Sequence, residues 1–203
     1  MTTTATSTTT PAAALDPIPI EFNAARHEYR VRGLLFPSVT TILHELGAID
    51  DRWFTEETCE RGRRVHEATV ALDYDLAGVG DFDPDIQGYL RSWLAFRETS
   101  KPEILAVEEL VASIEYGYAG TLDRRVTLAK RESILDLKTG SRAPWIALQL
   151  AGYAATFPRP LKRYSVHLDA EGRPAQLIPY DDRNDIAVFR AGVLFANWLR
   201  KTA

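Results

Sequence analysis

The sequence predicts an α/β (α+β) fold in which a central mixed β-sheet is flanked by helices. Apolar residues recur at helical spacing between residues 50 and 99, and three successive segments of strand-like alternation follow Lys101 and Pro102. A further helix, two strands and a last helix complete the order. Helices placed before, between and after strands are typical of a sheet that packs helices against itself.

The first half of the chain is predicted to hold a hairpin and three helices. In order, these are strands over residues 22–31 and 33–36, and helices over residues 39–46, 50–75 and 84–99, with a loop over residues 78–83. Arg32 and Gly33 supply the hairpin turn, Gly47 ends the short helix, and Asp50 with Asp51 is the expected N-terminal cap of the long helix. The core candidates on the two long helices are Trp53, Phe54, Val65, Ala68, Leu72, Ile86, Leu90, Trp93, Leu94 and Phe96.

The second half is predicted to hold five strands and two helices. The strands cover residues 104–114, 119–128, 133–138, 163–168 and 175–178, and the helices cover residues 145–157 and 183–200. Residues 129–132 form a polar turn between the second and third of these strands. Pro144 stands near the first helical position, where proline is favoured, and Pro158 ends the same helix.

Composition indicates an ordinary soluble chain with one hydrophobic core. The 203 residues are 45% hydrophobic and 26% charged, which is enough for one sizeable domain over residues 21–203. Residues 1–20 are rich in Thr, Ala and Pro, lack any apolar period, and are expected to be a disordered leader. No run of apolar residues is long enough to cross a membrane, so no membrane partner is expected.

The single cysteine limits the possible cofactors. Cys59 alone excludes an intramolecular disulfide, a cysteine-built zinc site and an iron–sulfur cluster, and it favours a cytoplasmic location. The net charge of −4 does not suggest a nucleic-acid-binding protein. Net charge describes the far field, however, and a local basic surface can coexist with it.

Two aspartates and one lysine form the most informative pattern. Asp136 and Lys138 are two residues apart in a predicted strand and therefore share one face, while Leu135 and Leu137 share the other. A hairpin brings Asp123 beside Asp136, and two carboxylates at that separation repel each other unless a cation or a proton lies between them. An isolated Asp-x-Lys is usually a solvated ion pair worth about 0–1 kcal/mol, so the pattern alone does not decide.

The next predicted helix adds a polar pair. Gln149 and Tyr153 are four residues apart on one face, with Trp145 one turn earlier. An amide and a phenol there can contact phosphate oxygens or orient the lysine. The alternative is that both aromatic residues belong to the core and that Gln149 faces solvent.

A charged segment on the long helix is the third clue. It reads Arg61, Gly62, Arg63, Arg64, Val65, His66 and Glu67. Glycine inside a helix costs about 1 kcal/mol against alanine, which indicates a close approach of backbone or ligand. His66, or Glu67 in its place, can complete a metal site, and the three arginines can lie along a phosphate track. A solvated charge cluster with one exposed histidine is the more common outcome for such a segment.

Two adjacent acids on a predicted strand point in opposite directions. Of Glu108 and Glu109 only one can face the site, and we expect Glu108 to do so. The remaining histidines, His27, His44 and His167, have no spacing that suggests metal binding or a catalytic triad.

Taken together, these segments resemble the PD-(D/E)XK nuclease superfamily, in particular its RecB-like branch of phage and bacterial exonucleases. The resemblance covers residues 22–199. Its carriers are the segments 37–40 with 42–43, 61–62 with 65–66, Glu108, 120–123, 135–140, and Gln149 with Tyr153. Each segment is weakly specific, and the order of all six is what makes the resemblance strong.

The resemblance implies a restriction-endonuclease-like core and assigns roles to residues. His66, Asp123, Asp136 and the Leu137 carbonyl would bind Mg²⁺, or Mn²⁺ in its place. Lys138 would position or activate the attacking water, with Gln149 and Tyr153 as the supporting pair on the next helix. Glu108 would be the acidic residue of the first core strand.

The function that the resemblance implies is a Mg²⁺-dependent DNA exonuclease in phage or mobile-element recombination or repair, acting in the (host) cytoplasm. No helicase motif is present, so a helicase, a recombinase or a single-strand-binding protein would be a separate partner. A homo-oligomer fits this branch. The alternatives are a structure-specific endonuclease of the same fold and a catalytically silent nucleic-acid-binding module.

Overall fold

A mixed β-sheet of five strands is the framework of the structure, a computed structural model that describes residues 19–50 and 55–202. The strands are β1 (Ile20–Asn23), β2 (Glu28–Val31), β3 (Leu34–Phe36), β4 (Glu103–Ser113), β5 (Tyr118–Leu128), β6 (Arg131–Lys138), β7 (Lys162–His167) and β8 (Gln176–Pro179). The helices are α1 (Val39–Glu45), α2 (Glu56–Asp73), α3 (Pro84–Ser100), α4 (Trp145–Ala154) and α5 (Asn184–Thr202), with one 3-10 turn at Val79–Asp81.

The five-stranded sheet has the order β4-β5-β6-β7-β8 and is antiparallel except for the β6–β7 pair. Parallel neighbours require a crossover connection, and α4 supplies it between β6 and β7. The β6–α4–β7 unit therefore places the C-terminal end of β6 and the start of α4 at the same end of the sheet. The mixed α/β architecture expected from the sequence is confirmed.

Two apolar clusters cover the two faces of this sheet. One contains buried residues of α1, α4 and α5, with Ile134 of β6 among them. The other contains buried residues of α2 and α3, with Leu135 and Leu137 of β6 among them. The alternation along β6 is the one that the sequence predicts, and it leaves Asp136 and Lys138 on the side of α4.

The first three strands form a separate antiparallel sheet against the amino-terminal half of β5. Tyr29 and Val31 of β2 share an apolar cluster with Ala119 of β5. The Ala119 N–H donates to the Pro37 carbonyl at 3.0 Å, which joins the two sheets directly. Ser38 then caps α1, because its hydroxyl accepts from the Thr41 N–H at 2.9 Å.

The expected strand over residues 22–31 is interrupted, which corrects the sequence prediction. Strand β1 ends at Asn23, whose side-chain oxygen accepts from the Arg26 N–H at 3.2 Å and closes a turn. His27 follows with a left-handed φ of 51°. The region is thus a three-stranded meander and not a two-stranded hairpin. The predicted turn at Arg32 and Gly33 is present, and both residues have positive φ.

The start of the long helix also differs from the prediction. Thr55, and not Asp50 or Asp51, is the N-terminal cap, because its hydroxyl accepts from the Thr58 N–H while the Thr58 hydroxyl accepts from the Thr55 N–H. This reciprocal pair satisfies two backbone donors, one of which lies inside the first turn. Asp51 and the predicted core positions Trp53 and Phe54 lie outside the described residues, as does most of the predicted leader.

Smaller differences occur at the ends of other elements. Helix α4 ends at Ala154, three residues before the prediction, and β6 starts at Arg131. The β5–β6 turn consists only of Ala129 and Lys130, both with positive φ and neither a usual residue for that conformation. Among the described residues, no helix is long and apolar enough to span a membrane.

Candidate functional site

Three acids lie in one row across adjacent strands of the sheet. Glu108 lies between the paired positions Val107–Arg124 and Glu109–Leu122, which places it level with Asp123, and Asp123 and Asp136 are the first residues beyond the last β5–β6 pair, Arg124 with Leu135. Neither of these two acid pairs belongs to the hydrogen-bonded ladder. Carboxylates this close repel each other, and each has a basic neighbour: Arg124 beside Glu108, His66 beside Asp123 and Lys138 beside Asp136.

The sheet opens at Asp123. The β5–β6 ladder ends at Arg124 with Leu135, and beyond it the Asp123 carboxylate accepts from the Leu137 N–H at 2.6 Å. The Asp123 carboxylate thus accepts the hydrogen bond that a backbone carbonyl of β5 would accept if the ladder continued. The strands separate there, and the carbonyl of Leu137 is left for a partner outside the sheet.

His66 of α2 is that partner. Its Nε2 lies 3.1 Å from the Leu137 carbonyl and its Nδ1 lies 3.5 Å from Asp123 Oδ1. Both neighbours are acceptors, so the geometry favours an imidazolium with a proton on each nitrogen. Burial alone would lower the pKa of His66, but the Asp123 carboxylate raises it to about 9. The same pair lowers the pKa of Asp123 to about 2 against the effect of burial.

Donor atoms suited to a metal converge at this point. One atom each from His66, Glu108 and Asp123 lie within 4.8 Å of one another. The resemblance assigns His66, Asp123, Asp136 and the Leu137 carbonyl to the metal. The structure instead groups Glu108 with His66 and Asp123, and it pairs Asp136 with Lys138. Oxygen-rich sets with few protein ligands are those that Mg²⁺ uses, and an added histidine nitrogen also suits Mn²⁺.

Glu108 has an unusual backbone for a strand residue. Its φ is 49°, a left-handed value that costs a residue with a Cβ about 1–2 kcal/mol. Burial and the nearby Asp123 carboxylate raise the pKa of Glu108 to about 7. Glu109, by contrast, pairs with Arg125 at 2.6 Å, so it is Glu108 that lies beside Asp123.

Asp136 and Lys138 form a buried pair on the α4 side of β6. Lys138 Nζ lies 2.7 Å from Asp136 Oδ2 and donates to Gln149 Oε1 at 2.9 Å. Asp136 Oδ2 is buried and has no partner with hydrogen-bond geometry. Burial raises the pKa of Asp136 to about 6, Asp123 adds to the rise, and Lys138 opposes it. Asp136 Oδ2 is therefore held by its ion pair with Lys138.

The polar pair on α4 supports the lysine. Gln149 Nε2 donates to the Tyr153 hydroxyl at 3.4 Å, and both side chains are buried. The Trp145 ring lies 5.1 Å from Lys138 Nζ, at cation–π distance. Gly120 makes room for this arrangement, because a Cβ there would lie 2.7 Å from the Tyr153 ring. Gln149 is thus buried and does not face solvent, whereas Tyr153 belongs to the apolar core and Trp145 packs against it, as the alternative expects.

Arg124 is a central residue that sequence reasoning missed. Its side chain is fully buried and donates to Asp73 at 2.5 Å, to Thr69 at 3.0 Å and to Glu108 at 3.2 Å. A fourth bond, at 2.7 Å, goes to the Asp123 carbonyl. Arg124 therefore fixes two of the three acids in the row to α2. The signal that could have found it is an arginine at an inward position of a predicted strand.

The structure does not gather the predicted arginines at the acids. Arg63 pairs with Glu60 and Glu67, and Arg64 pairs with Asp83 at 2.8 Å and with Asp85. Arg61 lies 5.9 Å from the centre of the Tyr89 ring. The charges of Arg63 and Arg64 are thus compensated by acids on the surface.

Gly62 is not required by a close backbone contact. A Cβ at Gly62 would lie 3.6 Å from the Thr139 hydroxyl, an ordinary distance. Its place is nevertheless informative, because the contact puts the turn of α2 before His66 directly against the residue after Lys138. The interpretation of this site rests on its own geometry, since no protein-family model and no curated protein matches the sequence.

Proposed function

We propose that this protein is a divalent-metal-dependent phosphodiesterase, a DNA nuclease that uses the row of Glu108, Asp123 and Asp136 with the neighbouring Lys138. The observation that carries the proposal is the convergence of donor atoms of His66, Glu108 and Asp123 within 4.8 Å at the point where the Asp123 side chain replaces the β5–β6 ladder. An imidazole and two carboxyl groups gathered from three elements are the kind of donor set that a divalent cation would use. Membership of the PD-(D/E)XK superfamily is part of the same proposal.

The donors present fit Mg²⁺ or Mn²⁺. Glu108, Asp123 and His66 would hold the ion, with Asp136 and the Leu137 carbonyl as the neighbouring oxygens. When bound, such an ion polarises a phosphoryl oxygen and lowers the pKa of water. His66 would have to lose a proton before its nitrogen could become a ligand, because a ligand nitrogen needs its lone pair.

Lys138 supplies the fixed positive charge of the proposed chemistry. Gln149 and Asp136 hold its ammonium from two sides, so it is oriented before a substrate arrives. A compact ammonium beside a phosphate stabilises charge that develops on a non-bridging oxygen, and it can orient a water by donating to it. Gln149 is a positioning residue in this scheme, because it contacts the lysine.

An exonuclease of recombination or repair in the cytoplasm is the form that we propose, with DNA as substrate and a separate recombinase, single-strand-binding protein or helicase as partner. The row of acids serves endonucleolytic cleavage equally well. The partly buried Lys138, held by Asp136 and Gln149 beside the metal-binding group, favours an active enzyme over a silent binding module, because a module has no need of an amine oriented at that place.

The test is a digestion of linear and circular DNA with Mg²⁺ or with EDTA. We expect cleavage of linear DNA that requires the metal, and a loss of about 100- to 1,000-fold in kcat for Lys138→Ala. Lys162→Ala is the matched control, since Lys162 forms an exposed pair with Asp181 and should leave the rate unchanged. Nicking of circles would indicate the endonuclease. An inactive wild type with every metal and nucleic acid would contradict the proposal.

A further inference from the structure

A cleft of about 520 Å³ adjoins the acids and has no role in the chemistry above. Its lining includes Glu108, Gln149 and Tyr153 of the candidate site, and on another wall Phe22 and His27 from the three-stranded sheet. Clefts of about 300–1,000 Å³ take ligands of the size of a nucleotide. The cleft therefore provides space beside Glu108 for a part of the substrate other than the reacting phosphate.

A rigid aromatic cluster forms one wall. The Phe22 and Tyr29 rings are stacked with centroids 4.6 Å apart, and the His27 ring meets them edge-on at 5.5 and 5.6 Å. Tyr29 is buried and its hydroxyl is hydrogen-bonded to Thr121 at 2.9 Å, whereas Phe22 is 37% exposed and His27 is exposed. The Tyr29 ring is thus buried and held by its hydrogen bond, while the Phe22 and His27 rings face the cleft.

The chemistry of the lining suits a planar, uncharged group. Ser38, Thr40 and Thr121 contribute hydroxyls and Gln149 an amide, and the described residues that line the cleft include no lysine or arginine. Glu108 is the acid among them, so a phosphate would meet repulsion and no counter-charge. A nucleobase has a stacking face for Phe22 and polar edges for the hydroxyls.

We propose that this cleft is a nucleobase subsite, in which the base next to the scissile phosphate leaves its stack and packs on Phe22. The inference rests on the proposed function and adds the class of substrate to it. A base in a duplex is stacked on both sides and paired at its edge, so a concave aromatic cleft accepts it only after it is unstacked. The enzyme accordingly prefers single strands or frayed ends to intact duplex.

The test combines protein variants with a single-stranded oligonucleotide that carries 2-aminopurine or an abasic position near its end. In EDTA, binding of the wild type should quench 2-aminopurine fluorescence. Phe22→Ala should weaken binding by about 5- to 100-fold, the range for loss of one stacked base, and Phe22→Trp should restore it. Leu34→Ala is the control, because Leu34 is an exposed apolar residue of the same small sheet outside the cleft.

The abasic oligonucleotide makes the test specific. If the base packs on Phe22, removing the base and truncating Phe22 should cost no more together than either change alone. His27→Asn, which tolerates the left-handed backbone, gives a second variant if Phe22→Ala does not fold. In Mg²⁺, Phe22→Ala should raise KM for single strands and leave kcat within about twofold.

The outcomes separate this inference from the proposed function. Equal binding and cleavage by Phe22→Ala and the wild type, with Lys138→Ala inactive, would overturn the subsite and leave the nuclease standing. Phe22-dependent quenching by a wild type that cleaves no nucleic acid would support the subsite and overturn the nuclease. Additive losses with the abasic oligonucleotide would overturn the subsite, since base and ring would then act independently.

Discussion

Arg124 shows how a single buried cation can support an acidic site from behind. Asp73 is fully buried beneath it and also accepts from the Trp93 indole at 2.9 Å. The guanidinium lies 5.8 Å from the centre of the Trp93 ring, so its charge is stabilised by both an acid and an aromatic face. Its remaining donors reach Glu108 and the Asp123 carbonyl. The row of acids is thus connected to α2 through one side chain.

Removing this cation should therefore destabilise the protein strongly. We expect Arg124→Met to lower the free energy of unfolding by about 3–5 kcal/mol, because it removes the fully buried cation that pairs with Asp73 and leaves that acid only the partly exposed Arg97, 3.1 Å away, as a cationic partner. Urea denaturation followed by circular dichroism measures the change. Arg63→Met is the control, since Arg63 pairs with acids at the surface and should cost less than about 1 kcal/mol. Similar losses in both variants would contradict the assigned role.

Ionisation of the Glu108 carboxyl lowers the stability of the folded protein. Because burial and Asp123 raise the pKa of Glu108 to about 7, the folded state holds the charged form poorly above that pH. Glu108→Gln should then stabilise the metal-free protein at pH values above about 8, and the gain should fade towards about pH 5, where the wild-type carboxyl is protonated. Thermal melts in EDTA at both pH values test this; a gain that is equal at both would argue against it.

The elements differ in how far the sequence could predict them. Strand β6 was predictable because strict alternation assigns Leu135 and Leu137 to one face and Asp136 to the other. The start of α2 was not, because two aspartates and a threonine pair compete as caps and only the tertiary structure selects between them. The interruption of the first strand depends on a turn without glycine or proline, so its signal is only the side chain of Asn23.

The sequence could predict which site residues share a face of a strand or helix, but it could not predict the distances between their side chains. The two-residue spacing of Asp136 and Lys138 fixes that they share a face, and the helical spacing of Gln149 and Tyr153 does the same. The left-handed backbone of Glu108 and the separation of β5 from β6 arise from pairing across strands, which no local pattern encodes. This is why sequence reasoning favoured Asp136 as a ligand where the structure brings Glu108 closest.

Helix α5 carries apolar side chains on two faces, one buried in the core and one exposed. Phe189 is buried and meets the Tyr118 ring at 5.2 Å, whereas Trp198 is 58% exposed and stacks on the exposed Phe195. We expect Phe189→Ala to cost about 3–5 kcal/mol and Trp198→Ala to cost less than about 1 kcal/mol. Chemical denaturation of the two variants checks this, and a large loss for Trp198→Ala would mean that its face is covered in solution.

At the scale of the whole molecule, the candidate site couples folding to protons and to metal. Folded-state pKa values are raised for His66 to about 9, for Glu108 to about 7 and for Asp136 to about 6. Each of these groups contributes stability that is present below its unfolded pKa and is lost as pH rises through its folded value. Asp123 acts in the opposite direction, because its pKa of about 2 gives stability that is lost only in acid.

The metal-free protein should accordingly lose stability between about pH 4 and about pH 9, and Mg²⁺ should restore it. Ligands must be deprotonated to bind, so the same rise in pH that leaves the acids charged also frees His66 and the carboxylates for the ion. Binding to the folded state alone raises the melting temperature. We therefore expect millimolar Mg²⁺ to raise the melting temperature more at about pH 8.5 than at about pH 6, measured at constant ionic strength.

Asp123→Asn separates a bound ion from general salt effects. The substitution keeps an oxygen that can accept from the Leu137 N–H and removes the charge opposite Glu108 and Asp136, so the row no longer requires a cation. Its melting temperature in EDTA should fall less steeply with pH than that of the wild type, and Mg²⁺ should change it little. A stabilisation by Mg²⁺ that is the same in this variant, or that is larger at the lower pH, would place the ion elsewhere. It would contradict a metal site at these three carboxylates.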